Sequence, residues 1–389
     1  MTIVDRELRA RVHQRFVAGT PVADHAVRAE LAELLRTEAP LLTEGDFEQL
    51  LCSLLDEVHG LGPLEPLLAD PYVTEVMVNG PGRVYVERAG SVEPVTVDLE
   101  AHEITRLVER VIAPLGLRLD RSAPIVDARL GDGSRLHAVI PPLAVEGPYV
   151  TIRRFATRSI DLAGFGCTGG AAAFLRWAVA AGWNLLVAGG TSSGKTTLVQ
   201  SLAAAIPRGE RVVTIEETAE LRLGHAHVVR LEARPANAEG VGQVSVRDLV
   251  RAALRMRPDR VIVGEVRGAE ALDLLQALNT GHDGSFSTVH ANRASDALRR
   301  LETLALFSGE LPLAAVRGQL AAAVDGIVQV ARAADGRRCV TEVAEVGDDG
   351  VDVRTLFSRR DAELVGLASP TRAPRRHGTS APDRRWFRC

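Results

Sequence analysis

The sequence predicts an α/β protein in which a domain with a parallel sheet follows a mixed α+β N-terminal domain. Helical and extended patterns alternate from residue 171 to about 357, which is typical of strand–helix–strand units. The hydrophobic share of 46% is enough for a full core. With 389 residues the chain is also longer than a usual single domain of roughly 150 residues, so we expect two or more domains.

Residues 1–60 are predicted to form a helical segment. Thr43 and Asp46 can cap a helix, since a Thr side chain and a carboxylate three residues later both satisfy backbone N–H groups. The Gly and Pro residues of 59–66 end that helix. The first residues lack an apolar stretch of signal-peptide length, so we expect no export by that route. One face of the helix carries apolar residues at helical spacing: Phe47, Leu50, Leu51, Leu54, Leu55 and Val58.

Residues 61–156 are predicted to form the α+β N-terminal domain. Alternating residues at 73–78 and 83–87 flank an Asn-Gly-Pro-Gly turn, which indicates two paired strands. Further strands are expected on either side of 131–133 and over 149–155. A helix between these two groups of strands would direct four apolar residues inward: Ile104, Leu107, Val108 and Val111.

Three segments follow the N-terminal domain. Residues 157–170 contain scattered Gly, Ser and Thr and are predicted to be a linker. Residues 171–360 are the α/β domain, whose last part (326–357) is predicted to consist of strands alone. Residues 361–389 are rich in Pro and Arg with little to bury, so we predict a disordered tail. Its arginines could contact anionic lipid, or the tail could have no role.

Composition excludes several classes of protein. The 46 basic and 50 acidic residues leave a net charge of −4, and aromatics make up only 4%, so we do not expect a nucleic-acid partner. The most apolar stretch, 169–190, is interrupted by Arg176 and Asn184; we interpret it as a helix and a buried strand, with a membrane-spanning helix as the alternative. No C-x-x-C pair occurs, so we expect no zinc site and a reduced, cytoplasmic protein; the cysteines are Cys52, Cys167, Cys339 and Cys389.

A phosphate-binding motif is the most specific feature of the sequence. Residues 189–196 read G-G-T-S-S-G-K-T, a full match to G-x-x-x-x-G-K-[ST], with an apolar strand before them and an amphipathic helix after them. Lys195 would pair with β- and γ-phosphate oxygens, and Thr196 would hold Mg²⁺. The predicted nucleotide-binding residues are Gly189, Gly190, Thr191, Ser192, Ser193, Gly194, Lys195, Thr196 and Thr197.

Ionisable residues follow three of the predicted strands. Ligands of an open parallel sheet bind beyond the carboxyl ends of its strands, which is where Glu216, Glu265 and His290 stand. Glu216 is predicted to orient or deprotonate the attacking water, and Glu265 to hold Mg²⁺ through its water shell. His290 is predicted to sense the γ-phosphate or to bridge neighbouring elements. Each has a structural alternative: Glu216 could cap a helical turn, Glu265 could pair with Arg267, and His290 could be a satisfied structural histidine.

Several separate motifs resemble those of the secretion and pilus-assembly ATPases of the type II/type IV secretion superfamily, in particular the Tad/Flp pilus motor branch (CpaF/TadA-like). The resemblance extends from about residue 60 to 357, and the motifs stand in the expected order. The cysteine cluster of some type II members is absent, which favours the Tad-like branch. The motifs are Gly189–Thr197, Val212–Leu221, Leu254–Gly268 and Asn279–Asn292, together with Gly60–Pro81 and Asp132–Pro142 in the N-terminal part.

The resemblance implies a RecA-like P-loop domain and assigns roles to individual residues. Lys195, Glu216 and Glu265 match the family's catalytic positions, although Glu217 stands where the family usually has Asp. Further nucleotide contacts are implied for two His-box histidines and for N-terminal arginines that reach the phosphates, for which surface arginines are the alternative. These residues are His282, His290, Arg135, Arg153 and Arg154.

The resemblance also implies a function. It indicates a homo-hexameric motor that hydrolyses ATP with Mg²⁺ and powers Tad/Flp pilus assembly or type II/IV-like secretion. Its partners would be integral platform proteins of the inner membrane, which it would contact peripherally from the cytoplasmic face. Two other functions stay open: a nucleotide-gated scaffold with little turnover, and a conjugation or DNA-translocation ATPase.

Overall fold

A computed structural model describes residues 26–88, 90–154, 160–236, 241–333, 335–361 and 363–387, together with parts of 8–16. The chain divides into two compact units, which we call the N-terminal unit (Met1–Phe155) and the C-terminal unit (Ala156–Cys389). The predicted fold class is confirmed, since a sheet with a parallel core follows a mixed α+β unit.

The N-terminal unit joins a small helical core to an antiparallel sheet of order β3-β2-β1-β6-β5-β4. Asp46 N donates to Thr43 Oγ1 (3.2 Å) at the start of the second helix, where a cap was predicted. The described elements are α1 (Val27–Glu38), α2 (Glu44–His59), α3 (Glu65–Ala69), β1 (Val73–Asn79), β2 (Val84–Arg88), β3 (Ser91–Val95), α4 (Ala101–Ile112), β4 (Ile125–Arg129), β5 (Arg135–Val139) and β6 (Tyr149–Arg153).

Helix α4 packs on the sheet through one apolar face. Its inward residues are buried with the strands because they recur at helical spacing, whereas its other face carries charged residues. Glu100 and Glu103 form a capping box that fixes where the helix begins. The buried residues of α4 are Ile104, Leu107, Val108 and Ile112.

The C-terminal unit is built on a sheet of order β15-β14-β13-β12-β7-β11-β10-β8-β9. Six neighbouring strands of this order are parallel, and the remaining three pair in the antiparallel sense. The parallel strands are β12, β7, β11, β10, β8 and β9, and the antiparallel ones are β13, β14 and β15. Its described elements are α5 (Gly169–Ala180), β7 (Leu185–Gly189), α6 (Lys195–Ala203), β8 (Val212–Glu216), β9 (Val228–Glu232), α7 (Val246–Ala253), β10 (Arg260–Val263), α8 (Glu270–Leu278), β11 (Phe286–His290), α9 (Ala294–Leu306), α10 (Leu313–Ala323), β12 (Gly326–Arg332), β13 (Arg338–Val346), β14 (Val353–Arg360) and β15 (Glu363–Gly366).

Two apolar layers sandwich the parallel strands. Helices α5 and α6 contribute to one layer, and α7 to α10 contribute to the other. The parallel strands are buried on both faces, and their sequences are accordingly almost continuously apolar. Their carboxyl ends meet at one edge of the sheet, which brings the ends of β7, β8, β10 and β11 together.

The apolar stretch over 169–190 forms a helix and a buried strand, α5 and β7, as predicted. In the described part of the chain, no helix combines the length and the apolar character needed to span a membrane.

Part of the predicted linker (157–170) belongs to the core of the C-terminal unit. Residues 157–159 lie outside the described part, but Leu162, Phe165 and Cys167 are buried against the sheet and its helices. These three apolar residues, which stand three and two positions apart, anchor this segment despite the Gly, Ser and Thr around them.

The predicted disordered tail (361–389) is corrected by the structure, which describes 363–387 packed on the C-terminal unit. Strand β15 pairs with β14 and extends the sheet. Phe387 is buried, with its ring centroid 5.4 Å from that of Phe174 and 5.1 Å from that of Phe357. Trp177 and Trp183 donate their indole N–H groups to carbonyl oxygens of the tail.

The tail is held mainly by arginines, which is why its composition did not predict order. Arg372 and Arg375 both pair with Asp325 (N···O 3.1 and 2.5 Å), whose side chain is only 4% exposed. Arg376 pairs with Glu210, which also pairs with the fully buried Arg260 (2.5 Å). A low apolar content indicates disorder only where the charges stay in water, and here they meet buried acids.

Candidate active site

The predicted phosphate loop lies between β7 and α6, at the carboxyl edge of the parallel strands. Ser192 and Gly194 have positive φ angles of 56° and 95°, which curve the loop back on itself. Ser193 Oγ donates to the Gly190 carbonyl oxygen (2.9 Å) and closes the turn. The loop then enters α6 at Lys195, so the positive end of the helix dipole faces the concave side.

Lys195 lies inside this loop and is 8% exposed. Its Nζ donates to the carbonyl oxygens of Gly189 (3.1 Å) and Gly190 (2.8 Å). It is also the only lysine in the sequence, in which every other basic residue of the 46 is Arg. A compact ammonium on a flexible stem fits a tight loop where a planar guanidinium would not.

His290 joins Lys195 to Glu265. Both of its ring nitrogens lie 3.5 Å from Lys195 Nζ, and its Nε2 lies 3.0 Å from Glu265 Oε1. Burial and then the Lys195 ammonium lower the pKa of His290, against the opposing effect of Glu265. The imidazole is therefore mainly neutral at pH 7 and can accept or donate a hydrogen bond.

Arg267 bridges Glu265 and Glu217 at the rim of the site. It donates to Glu265 Oε2 (2.8 Å) and to Glu217 Oε2 (2.9 Å). The structural alternative for Glu265 is therefore present, but only one of its carboxylate oxygens is used by Arg267. Glu217 pairs with Arg267 on the exposed side of the site. The presence of Glu at this position, where the family usually has Asp, therefore does not displace Glu216.

Glu216 ends β8 and is 4% exposed. Its Oε1 accepts hydrogen bonds from the backbone N–H groups of Glu220 and Leu221, both at 2.9 Å. Burial raises the pKa of Glu216 to about 7, although these two hydrogen bonds oppose the rise. A carboxyl group that is half ionised near neutral pH is suited to accept a proton from water.

Gly264 and Thr288 position the ends of the strands, and sequence reasoning missed both. A Cβ on Gly264 would lie 2.7 Å from Glu216 Cγ, so only glycine leaves room for that carboxylate. Thr288 Oγ1 donates to the Gly264 carbonyl oxygen (2.6 Å) and holds the turn that leads to Glu265. The sequence feature that could have indicated Thr288 is a hydroxyl residue within an otherwise largely apolar strand.

The residues predicted to hold Mg²⁺ fit that ion in their chemistry. Glu265 Oε1 is buried and makes no hydrogen bond among the described residues, the His290 contact lacking the required geometry. Thr196 adds a hydroxyl in the first turn of α6. A carboxylate and a hydroxyl are the oxygen donors that Mg²⁺ accepts together with water and phosphate.

His282 does not take part in the contacts that link Lys195, His290 and Glu265. Its Nδ1 lies 2.9 Å from the Ala277 carbonyl oxygen, in the turn that precedes β11. The register places the start of β11 beside Leu185 and its end, His290, beside Gly189. One strand length therefore separates His282 from the phosphate loop, and its nucleotide contact stays a prediction.

The three predicted arginines lie in the N-terminal unit. Arg154 donates to the backbone carbonyl oxygens of Asp70 and Val73, and so it stabilises that unit's own fold. Arg135 pairs with Asp127 (3.0 Å) at the surface, and Arg153 is exposed beside it on the neighbouring strand. Contact of Arg135, Arg153 or Arg154 with a phosphate stays a prediction.

Replacing Gly189 by Ala is expected to lower the free energy of unfolding by about 1–3 kcal/mol. The added Cβ would lie 2.5 Å from both Ser193 Oγ and the Val330 carbonyl oxygen. Gly190→Ala is the matched control, because its Cβ would meet nothing within 4 Å. Urea unfolding without nucleotide measures both, and equal stability of the two variants would contradict the described loop.

Comparison with known proteins adds the family context. A protein of Mycobacterium tuberculosis named for conjugal transfer is 44% identical over 313 residues, which is 77% of this chain and 89% of its own length. The type IV secretion system protein PtlH of Bordetella pertussis is 35% identical over 73% of this chain and 93% of its own. The Legionella pneumophila ATPase DotB shares the fold, with a TM-score of 0.54 at 21% identity over 74% of this chain and 80% of its own.

The family model described as Type II/IV secretion system protein matches residues 57–362. That range covers most of both units and includes the phosphate loop, Glu216, Glu265 and His290. The match spans well over half of the chain, and the chain therefore belongs to the type II/IV secretion system family of ATPases.

Proposed function

We propose that this protein binds ATP in the loop over 189–197 and hydrolyses it. The observation that carries the proposal is the convergence of Lys195, His290 and Glu265 at one edge of the sheet, with Glu216 at the end of β8. The pKa of about 7 for Glu216 is compatible with a general base, because such a group can accept a proton near neutral pH.

In the proposed reaction, Lys195 Nζ exchanges its hydrogen bonds to the carbonyl oxygens of Gly189 and Gly190 for hydrogen bonds to the phosphates. Lys195 then neutralises charge on the β- and γ-phosphates, and the amides of the loop and the N-terminus of α6 bind the remaining oxygens. Thr196, and Glu265 through water, would hold Mg²⁺, which would supply electrostatic stabilisation of the transferred phosphoryl group. His290 fixes the positions of the Glu265 and Lys195 side chains relative to each other, because it contacts both.

Glu216 is the proposed general base, which orients the attacking water and takes its proton. In the structure its carboxylate is bound to the amides of Glu220 and Leu221. We propose that the segment over 217–221 moves when nucleotide binds, which would release one carboxylate oxygen toward the water. Arg135 and Arg153 of the N-terminal unit are proposed to reach the phosphates and to couple hydrolysis to movement of that unit.

At the level of the assembly, we propose a homo-hexamer that acts peripherally on the cytoplasmic face of the inner membrane. Its partners would be integral platform proteins, and its work would be Tad/Flp pilus assembly or a related secretion. The support is the order of the motifs over 189–292 and the similarity to a type IV secretion protein over 93% of that relative.

A conjugation-class motor is the second candidate, and the similarity to a relative named for conjugal transfer favours it. The net charge of −4 does not favour direct contact with DNA, so we expect such a motor to act on the transfer apparatus. Hydrolysis stimulated by DNA and suppressed by salt would instead indicate a translocase. A scaffold with little turnover would show nucleotide binding without a product in single-turnover measurements.

Because Lys195 is the only lysine, an amine-reactive reagent can report on the site directly. An ATP analogue with Mg²⁺ is expected to protect Lys195 from acetylation, while the terminal amine of the chain reacts as before and serves as the internal control. Lys195→Ala is expected to weaken analogue binding by about tenfold or more, as expected for loss of a buried charged hydrogen bond. Peptide mass spectrometry measures the modification. Modification of Lys195 that occurs without the analogue and is equally extensive with it would refute nucleotide binding in this loop.

A further inference from the structure

The N-terminal unit contains a cavity of about 350 Å³ that is unrelated to the phosphate loop. The chain segments around it are the end of α2, helix α3, the end of α4 and the turn after β4. Its walls combine apolar side chains, including Leu61, Leu68 and Leu115, with the guanidinium groups of Arg110 and Arg129. This volume lies within the range of small-ligand pockets.

Arg110 is the unusual residue of this cavity. Its Nη2 donates to the Gly60 carbonyl oxygen (2.8 Å), whereas its Nε is buried and has no hydrogen-bond partner. Among the described residues, no carboxylate forms an ion pair with Arg110 within 4 Å. Burial and then the neighbouring charge of Arg106 lower the pKa of Arg110, against the opposing effect of Glu65. A half-buried cation without an ion-pair partner is costly, and an anion placed at its guanidinium would remove much of that cost.

The two acids that line the cavity are already engaged. Glu65 Oε1 accepts from the backbone N–H of Leu61 (2.7 Å) at the start of the short helical turn. Asp132 accepts from the backbone N–H of Ser134 (2.8 Å) and from its hydroxyl (2.7 Å). Each carboxylate therefore holds a turn of the backbone. Glu65 acts on Arg110 electrostatically, but neither acid forms an ion pair with it within 4 Å among the described residues.

We propose that this cavity binds a monovalent carboxylate carried on a small aliphatic body, with the carboxylate at the Arg110 guanidinium and the aliphatic part against Leu61, Leu68 and Leu115. The charges of Glu65 and Asp132 disfavour a dianion such as phosphate, whereas a single negative charge is matched by Arg110. The apolar wall selects a ligand with a hydrocarbon portion. The site is independent of the proposed nucleotide site, and the inference does not rest on ATP hydrolysis.

The test uses the full-length protein and hexanoate as the probe, with hexan-1-ol as its uncharged counterpart. Saturation-transfer NMR is expected to give a dissociation constant for hexanoate about tenfold or more below that for hexan-1-ol, as a buried charged hydrogen bond predicts. Arg110→Met should remove this preference, and Arg106→Met, on the exposed side of the same helix, should keep it. A saturating amount of ADP should leave hexanoate binding unchanged.

A second variant keeps the test decisive if Arg110→Met fails to fold. Ala69→Phe places a large side chain at the exposed rim of the cavity and leaves Arg110 in place, so it should abolish hexanoate binding with normal circular dichroism. Equal binding of acid and alcohol, binding that persists in Ala69→Phe, or competition by ADP would each overturn the proposal. A tripeptide ending in Leu, compared with its amidated form, distinguishes a polypeptide terminus from a free acid as the source of the carboxylate.

Discussion

Replacing Arg372 and Arg375 together by Met is expected to lower the free energy of unfolding by about 3–5 kcal/mol. The double change leaves Asp325 buried without a cation, because these two arginines are its ion-pair partners in the described part of the chain. Asp325 Oδ2 also accepts from the backbone N–H of Asn184 (2.8 Å), just before β7. The strand that leads into the phosphate loop is therefore tied to the tail.

Urea unfolding monitored by tryptophan fluorescence measures this effect, since Trp177 and Trp183 contact the tail. Arg385→Met is the matched control: its side chain is 83% exposed, and its pair with Asp383 lies at the surface. We expect the control to change stability by less than about 0.5 kcal/mol. A double variant as stable as the control would show that the tail is not part of the folded unit.

Glu216→Gln is expected to reduce the rate of ATP hydrolysis by about 10²–10⁴-fold while analogue binding stays within a factor of a few. Gln keeps the size of the side chain and can still accept a hydrogen bond from the amides at 220–221, but it cannot take a proton. Glu217→Gln is the matched control, because that neighbouring side chain pairs with Arg267 at the exposed rim. Single-turnover hydrolysis distinguishes the two, and an unchanged rate in Glu216→Gln would exclude this residue as the base.

The raised pKa of Glu216 also gives the activity a pH dependence. If Glu216 is the base, its ionised form is the active one, so the hydrolysis rate of the wild type should rise with pH through about 7 and then level off. Glu217→Gln should keep this profile. A profile that is flat from pH 6 to 8 would contradict the assignment of the base.

The same raised pKa predicts that the stability of the folded protein falls as pH rises, whereas the hydrolysis rate should increase. Between its ordinary value of 4.5 and about 7, the folded protein keeps a proton on Glu216 that the unfolded chain has lost. The wild type therefore loses stability relative to Glu216→Gln as pH rises through this window, by up to about 3 kcal/mol. Parallel unfolding curves at pH 5 and pH 8 measure this difference.

Much of the candidate active site could be predicted from local sequence. The phosphate loop needs glycines, a lysine and a hydroxyl at fixed spacing, and the carboxyl ends of parallel strands must meet at one edge of the sheet. These two rules were sufficient to select Lys195, Glu216, Glu265 and His290 before any contact was known. The contact between Gly264 and Glu216 could not be predicted, because it depends on how closely β8 and β10 approach at their ends.

The tail and the short segment before α5 show what local composition cannot decide. Pro, Arg and Ser usually indicate disorder, but order depends on whether acids elsewhere in the fold are buried and require cations. Asp325 and Glu210 are far from the tail in sequence, and only the folded sheet brings them to Arg372, Arg375 and Arg376.

The sequence by itself determined the α/β class, the phosphate loop and the acids that follow the strands, since periodicity and motif spacing are local properties of the chain. The tertiary structure alone decided that Lys195, His290 and Glu265 form one contact chain, that His282 lies a strand length away, and that Arg110 faces a cavity without a counter-ion. Ion pairing and burial depend on residues distant in sequence, and so the pKa of Glu216 and the order of the tail are set only once the sheet has formed.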